Sequence, residues 1–329
     1  MTAPSLDLRL LLESPAFEVA AFTLGLVVGS FANVCVHRLP LGLSVVSPPS
    51  RCPSCGALIA PYDNVPVVGW LVLRGRCRSC RNPISVRYPA VEMLNGLLYL
   101  GVALLYGPSL LAVLFMVVST ALVVLALIDL DHQLLPDAIT LPGMLLGLVA
   151  AVPRAVPGAP ERWLVGAGGL AAMAAVGMTT GFDRRRPDAA PGSSPSPDWS
   201  LLAMVGAFLA WQLAATGTWN EAAAAAALGY LLMAMVAKAA ARYYGQEALG
   251  EGDWKMAAML GALFGWQGML LSLFVGTLGG ALIGLLLVAL GRGTRRMKIP
   301  LGTFLALGGL VVIFAGAPVL AWYRGLYRG

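Results

Sequence analysis

Long, unbroken apolar runs dominate this chain, with none of the alternation of a half-buried strand. They fall at 17–37, 89–106, 109–130, 137–153, 163–180, 200–217, 221–242, 254–268, 270–290 and 300–321. Most have the length of about 17 to 22 residues that carries a helix across a bilayer. Several are rich in Gly and Ala, as close helix packing in lipid favours. The pattern predicts an all-α polytopic membrane protein with about eight to ten transmembrane helices. One polar stretch, 38–88, predicts a small loop domain between the first two helices. Residues 1–16 mix polar and apolar positions, include Asp7 and Glu13, and lead straight into the first run, so no cleavable signal peptide is expected.

Composition agrees. The 329 residues are 58% hydrophobic and 12% charged, whereas soluble domains are about one-quarter charged. Net charge is +6, and the placement of the basic residues explains the surplus. With 38–88 placed in the cytoplasm and the spans alternating, only Arg9, Arg154, Arg162, Arg324 and Arg328 fall outside. The other 17 of the 22 Lys and Arg fall inside. This bias orients the chain and is a topogenic signal, so no nucleic-acid partner is implied. The partner it implies is the lipid bilayer.

The loop at 38–88 carries Cys52-Pro53-Ser54-Cys55 and Cys77-Arg78-Ser79-Cys80. Two Cys-x-x-Cys turns about twenty residues apart are the pattern of a four-thiolate zinc site. The alternative is a pair of disulfides, which a reducing cytoplasm disfavours. So short a loop has little apolar core, and a metal would supply much of its folding energy. With Cys52, Cys55, Cys77 and Cys80 all as ligands, no coordination position stays open, and the zinc is structural. Cys35, inside the first span, reads as a small packing residue.

Acids at the edge of lipid are costly and mark candidate chemistry. Asp129 follows the run Ala121–Ile128 and is the deepest of three acids, with Asp131 and Asp137 in the polar turn behind it. Asp253 sits in Gly250-Glu251-Gly252-Asp253, where it could instead cap a helix beginning at Trp254. The topology puts both on the cytoplasmic face. At about 4 Å and an effective dielectric near 20, two carboxylates repel by about 4 kcal/mol. Such a pair shares one proton, leaving one base and one acid for peptide hydrolysis. No Ser/His/Asp set competes: His37 and His132 are the only histidines, and neither is near a Gly-x-Ser-x-Gly elbow.

In order along the chain come Gly29-Ser30-Phe31-Ala32-Asn33-Val34, Arg38-Leu39-Pro40, the cysteine pairs and Leu73-Arg74-Gly75-Arg76-Cys77. Arg87-Tyr88-Pro89-Ala90-Val91-Glu92, the Asp129 segment, the Gly-x-Gly-Asp at 250–253 and Gly293–Pro300 follow. This ordered set resembles the prepilin peptidases, the type IV leader peptidase family of bacterial inner-membrane aspartyl proteases. The resemblance implies that Asp129 and Asp253 are the catalytic pair. It also implies cytoplasmic-side cleavage of the leader from type IV prepilins and type II secretion pseudopilins. Members with the cysteine loop commonly methylate the new N-terminus with S-adenosylmethionine, and Glu92 and Gly75 are candidates for that site. For Glu92 a helix-start acid is the alternative.

The sequence divides into 1–37, the first transmembrane segment; 38–88, the zinc loop; 89–153, helices with Asp129; 154–219, an apparent inserted helix pair; and 220–329, helices with Asp253. The insertion surrounds Phe182-Asp183-Arg184-Arg185-Arg186 and the flexible 191–197 linker. Trp254 is bulkier than the family pattern suggests. Two other classes compete: a non-catalytic pilus or secretion assembly protein, and a proton-coupled carrier. A carrier would place its acids near mid-membrane.

Overall fold

The computed structural model describes residues 15–151, 218–244, 249–292 and 299–326. The expected spans 163–180 and 200–217, nearly all of the 154–219 segment and the basic stretch 293–298 lie outside the described residues.

Eight α-helices are described: α1 (Ala16–Arg38), α2 (Val68–Val72), α3 (Arg87–Tyr106), α4 (Leu110–His132), α5 (Asp137–Ala150), α6 (Thr218–Tyr244), α7 (Glu251–Ala289) and α8 (Leu301–Leu326). A 3-10 turn at Pro61–Asn64 precedes α2. Among the described residues there is no strand beyond two isolated bridges in the loop. Six helices (α1, α3, α4, α6, α7 and α8) are long and apolar enough to cross a membrane, so the protein is a multi-pass membrane protein. α5 is shorter, with 14 residues.

The observed ends differ from the expected spans where local chemistry decides them. α4 starts at Leu110, one residue after the expected 109, because Ser109 caps it: the Ser109 hydroxyl oxygen accepts from the Ala112 N–H at 3.1 Å. It stops at Gln133, which takes the left-handed conformation with φ 52° and donates its N–H to Asp129 O at 2.8 Å. α7 begins at Glu251, three residues before the expected 254. It breaks at Gly265, with φ 70° and ψ 177°, and not near 269. As one rod its 39 residues would measure about 58 Å at 1.5 Å per residue, nearly twice the bilayer core. Gly265 adopts the conformation that side chains disfavour.

The described residues form two compact units, one drawn from Met1–Ile139 with Leu271–Gly329 and the other from Thr140–Leu270. In the first, α1 and α3 pack backbone to backbone. A Cβ at Gly25 would lie 2.8 Å from Asn95 O, and one at Gly29 would lie 2.8 Å from the Glu92 Cα. Asn95 is fully buried. Its amide donates to Gly25 O at 2.8 Å, and its carbonyl oxygen accepts from the Thr120 hydroxyl at 2.8 Å. Those bonds tie α1, α3 and α4 together where no water is available. Ala32, Val36, Val91, Val123, Val124 and Ile128 form the core between the same three helices. From Leu271 onward α7 packs on α8, with Gly276 against the Phe304 carbonyl.

The second unit is built on small residues. Gly147 meets Ala262, Gly229 meets Ala257 and Gly261 meets the Ala225 carbonyl, so α5, α6 and the start of α7 approach almost to backbone contact. Leu148, Ala151, Ala222, Ala223, Ala226, Ala258 and Ala262 fill the space between them.

Candidate active site and thiol cluster

Asp129 lies in the last turn of α4 and is 5% exposed. Its Oδ2 accepts the Thr303 backbone N–H at 2.6 Å and the Thr303 hydroxyl at 3.1 Å. That hydroxyl also lies 3.0 Å from Ala126 O. Thr303 stands in the first turn of α8, where backbone N–H groups lack helical partners. A Cβ at Gly302 would sit 3.0 Å from Asp129 Oδ2 and 2.8 Å from a Leu135 methyl, so only glycine lets α8 come this close. The ordering by depth holds. Asp131 is exposed and forms a two-point ion pair with Arg87, at 2.9 and 2.7 Å. Asp137 opens α5.

Thr303 was not singled out by the sequence. A signal did exist: α8 follows Pro300 and opens Leu301-Gly302-Thr303, with no Ser, Thr, Asp or Asn ahead of it to cap its N–H groups. Such a start needs an acceptor from elsewhere.

Asp253, in the second unit, stands in the first turn of α7 and is not the N-cap of a helix starting at Trp254. Its Oδ2 accepts the Gly250 N–H at 3.2 Å, and its own N–H reaches Gly250 O at 3.1 Å. This is the reaching-back half of a capping box. Trp254 packs edge-on against Tyr230, ring centres 5.8 Å apart. Its indole N–H is buried without a partner among the described residues.

The cysteine loop is two copies of one turn. Cys52 N–H bonds Ala57 O and Gly56 N–H returns to Cys52 O, both at 2.9 Å. In the second copy Cys77 N–H bonds Asn82 O at 2.9 Å and Arg81 N–H returns to Cys77 O at 3.0 Å. Gly56 and Arg81 occupy equivalent places and both adopt positive φ, 70° and 62°. All four sulfurs lie within 4.8 Å of one another, and Cys52 and Cys80 are 3.8 Å apart. That equals the edge, about 3.8 Å, of a tetrahedron with metal–sulfur bonds of about 2.3 Å. The four thiols can therefore hold a metal ion.

Their electrostatics fit a cation as well. The backbone N–H groups of Cys55 and Ser54 bring Cys52 down to about 6. At Cys80 the Asn82 N–H favours the thiolate, but desolvation and the thiols of Cys55, Cys77 and Cys52 push it up to about 11. Clustered thiolates repel, and a central cation removes that repulsion.

The loop is tied to the helices at several points. Arg38 donates to Ser44 O at 2.9 Å and Pro48 O at 2.7 Å, and Asn33 donates to Tyr88 O at 3.1 Å. Glu92 Oε2 accepts the Val67 N–H at 2.7 Å, so its carboxylate caps α2. Gly75, with φ 66°, lies under the Trp70 ring, whose indole N–H donates to Ile84 O at 3.0 Å. Within the loop, Arg78 grips Asp63 and covers the Tyr62 ring.

These contacts set a common end for the first unit. The end of α1, the start of α3, the end of α4 and the start of α8 all meet there, and the thiol loop joins α1 to α3. Asp129 and the thiol cluster thus share one end of the bundle.

A polytopic helical protein with a buried carboxylate at the end that carries a four-thiol loop is the class these features define. Two family models cover most of the chain. Residues 23–106 match the bacterial peptidase A24 N-terminal domain, and residues 116–216 and 194–285 match the type IV leader peptidase family. The chain belongs to the type IV leader peptidase family. It is 37% identical to the prepilin leader peptidase/N-methyltransferase of Myxococcus xanthus over 86% of this chain and 67% of that one. Proteins of the same description from Pseudomonas putida and Pseudomonas aeruginosa are 33% and 31% identical. They cover 95% and 94% of this chain, and 95% and 93% of their own lengths. No solved structure matches the chain.

Proposed function

We propose that this protein is a membrane aspartyl endopeptidase that removes the leader from type IV prepilins and type II secretion pseudopilins. Asp129 and Asp253 are its two catalytic carboxylates. The observation that carries this reading is the buried carboxylate of Asp129, one turn from a helix end, in a chain of this family. A carrier would hold its acid near mid-membrane, and Asp129 is three residues from the end of α4.

In the proposed chemistry the ionised carboxylate takes a proton from water as the water oxygen attacks the scissile carbonyl. The protonated carboxyl gives its proton to the carbonyl oxygen, and collapse of the adduct breaks the C–N bond with the proton passing to the amine. The site and the thiol loop face the cytoplasm of the bacterial inner membrane, a side supported by the distribution of basic residues.

Cys52, Cys55, Cys77 and Cys80 are proposed to hold a structural zinc that folds the loop and takes no part in hydrolysis. The same domain plan carries over as a proposal, with 38–88 as the methylation-associated loop and 154–219 as an inserted pair of helices. Methylation of the new N-terminus, with S-adenosylmethionine as donor, is the second proposed activity, supported by the names of the relatives. Glu92 and Gly75 stay proposals for the donor site, although Glu92 Oε2 and the Gly75 backbone are engaged within the loop.

Mass spectrometry of a prepilin N-terminus, incubated with the purified protein with and without the methyl donor, tests both activities. Leader loss alone without the donor, and leader loss plus one methyl group with it, are expected. An intact leader in both samples contradicts the reading.

A further inference from the structure

We infer that Thr303 is the positioning residue for Asp129, its hydroxyl acting together with its backbone N–H to hold Oδ2 while the proton is exchanged on Oδ1 during hydrolysis. The inference rests on the reading of Asp129 as catalytic. Both hydrogen bonds from Thr303 fall on Oδ2, the backbone N–H at 2.6 Å and the hydroxyl at 3.1 Å. A backbone N–H can only donate, and no side-chain substitution removes it. Oδ2 is therefore held as an acceptor, and the proton that Asp129 gains or gives sits on Oδ1.

The hydroxyl adds an adjustable element. Its single proton has two acceptors at nearly equal distance, Asp129 Oδ2 at 3.1 Å and Ala126 O at 3.0 Å. Rotation about one bond moves it between them with no displacement of heavy atoms. It turns to Oδ2 when Asp129 carries charge and to Ala126 O when Asp129 is protonated. A donor that follows the charge by rotating one proton, with no heavy atom displaced, keeps the reorganisation cost of the step small. Gly302 completes the arrangement, because a Cβ there would press on Oδ2 at 3.0 Å and on Leu135 at 2.8 Å.

The test is steady-state cleavage of a prepilin by the full-length, detergent-solubilised protein. Thr303→Val keeps the shape and removes the hydroxyl. Roughly a 10- to 100-fold lower kcat with KM changed by less than about threefold is expected, the signature of an interaction made during the chemical step. Thr303→Ser should restore kcat to within about threefold of the parent, because it restores the donor. A role in packing alone would make Ser as poor as Val, or would leave Val fully active, and either result overturns the inference. If Thr303→Val does not yield a folded protein, Thr303→Ala against Thr303→Ser gives the same comparison. Gly302→Ala, which displaces Oδ2 from the other side, should lower kcat in parallel, and an unaffected kcat there also counts against the inference. Asp129→Asn is the control that separates the two failures. If Asp129→Asn still cleaves, the catalytic reading is wrong; if it is inactive while folded Thr303→Val is normal, only the role of Thr303 is wrong.

Discussion

The Thr303 backbone N–H lies 2.6 Å from Asp129 Oδ2, bringing together two residues 174 positions apart in the sequence. The bond satisfies a buried carboxylate and the uncapped start of α8 at once. It also fixes the register of α8 against α4 at the end of the bundle that carries the thiol loop.

Zinc removal should unfold the loop and leave the helices intact. Metal analysis of the purified protein should give about one equivalent of zinc, lost in Cys52→Ser or Cys77→Ser. Limited proteolysis should then cut within 38–88 while the apolar helices stay protected. A metal-free protein with all four cysteines oxidised would exclude the site and reverse the assigned orientation.

The Asp63–Arg78 pair gives the loop an acid limit. Hydrogen bonding to Arg78 holds the Asp63 carboxyl below its ordinary value. Its contribution is therefore fully present above about pH 4, the ordinary aspartate range, and is lost as pH falls through the lower folded value. Loop protection against protease should weaken on acidification in the parent. In Asp63→Asn it should already be weaker at neutral pH and change less on acidification. Identical acid profiles for the two proteins would remove Asp63 from this role.

Close packing in the Thr140–Leu270 unit predicts a sharp contrast between two glycines of one helix. At Gly261 a Cβ meets the Ala225 carbonyl, whereas at Gly279 it meets only the Phe304 ring edge at 3.5 Å, an ordinary contact. Gly261→Ala should destabilise by about 1–3 kcal/mol through overpacking against backbone. Gly279→Ala should be neutral or slightly stabilising, because alanine is the better helix former. Thermal unfolding in detergent orders the two, and equal midpoints would contradict the packing described.

The spans and the thiol cluster were legible in the sequence, because both are local. Apolar run length identified α1, α3, α4, α6 and α8 to within a few residues. The Cys-x-x-Cys spacing identified four residues whose sulfurs do converge. Depth, and then the family resemblance, separated Asp129 from Asp131, whose partner proves to be Arg87. Hidden were features that depend on contacts between distant residues. The break at Gly265 looks like any glycine in a Gly-rich run. The start of α7 shifted because Asp253 reaches back to Gly250 and draws Glu251 into the helix. Thr303 reads as one hydroxyl in an apolar stretch until α8 is docked on α4. Glu92 and Gly75 were read by motif alone, and the structure gives both a part in shaping the loop.

Asp129 and Asp253 are proposed to act together in hydrolysis. The most direct measurement is cleavage of a prepilin by purified Asp129→Asn and Asp253→Asn proteins, scored by the mass of the pilin product. Each substitution removes one charge with almost no change of shape, so each should yield a folded protein that leaves the leader attached. The double variant should be no worse than either single one, as for groups working as a unit. Removal of the leader by either single variant at a rate near the parent's would contradict the claim.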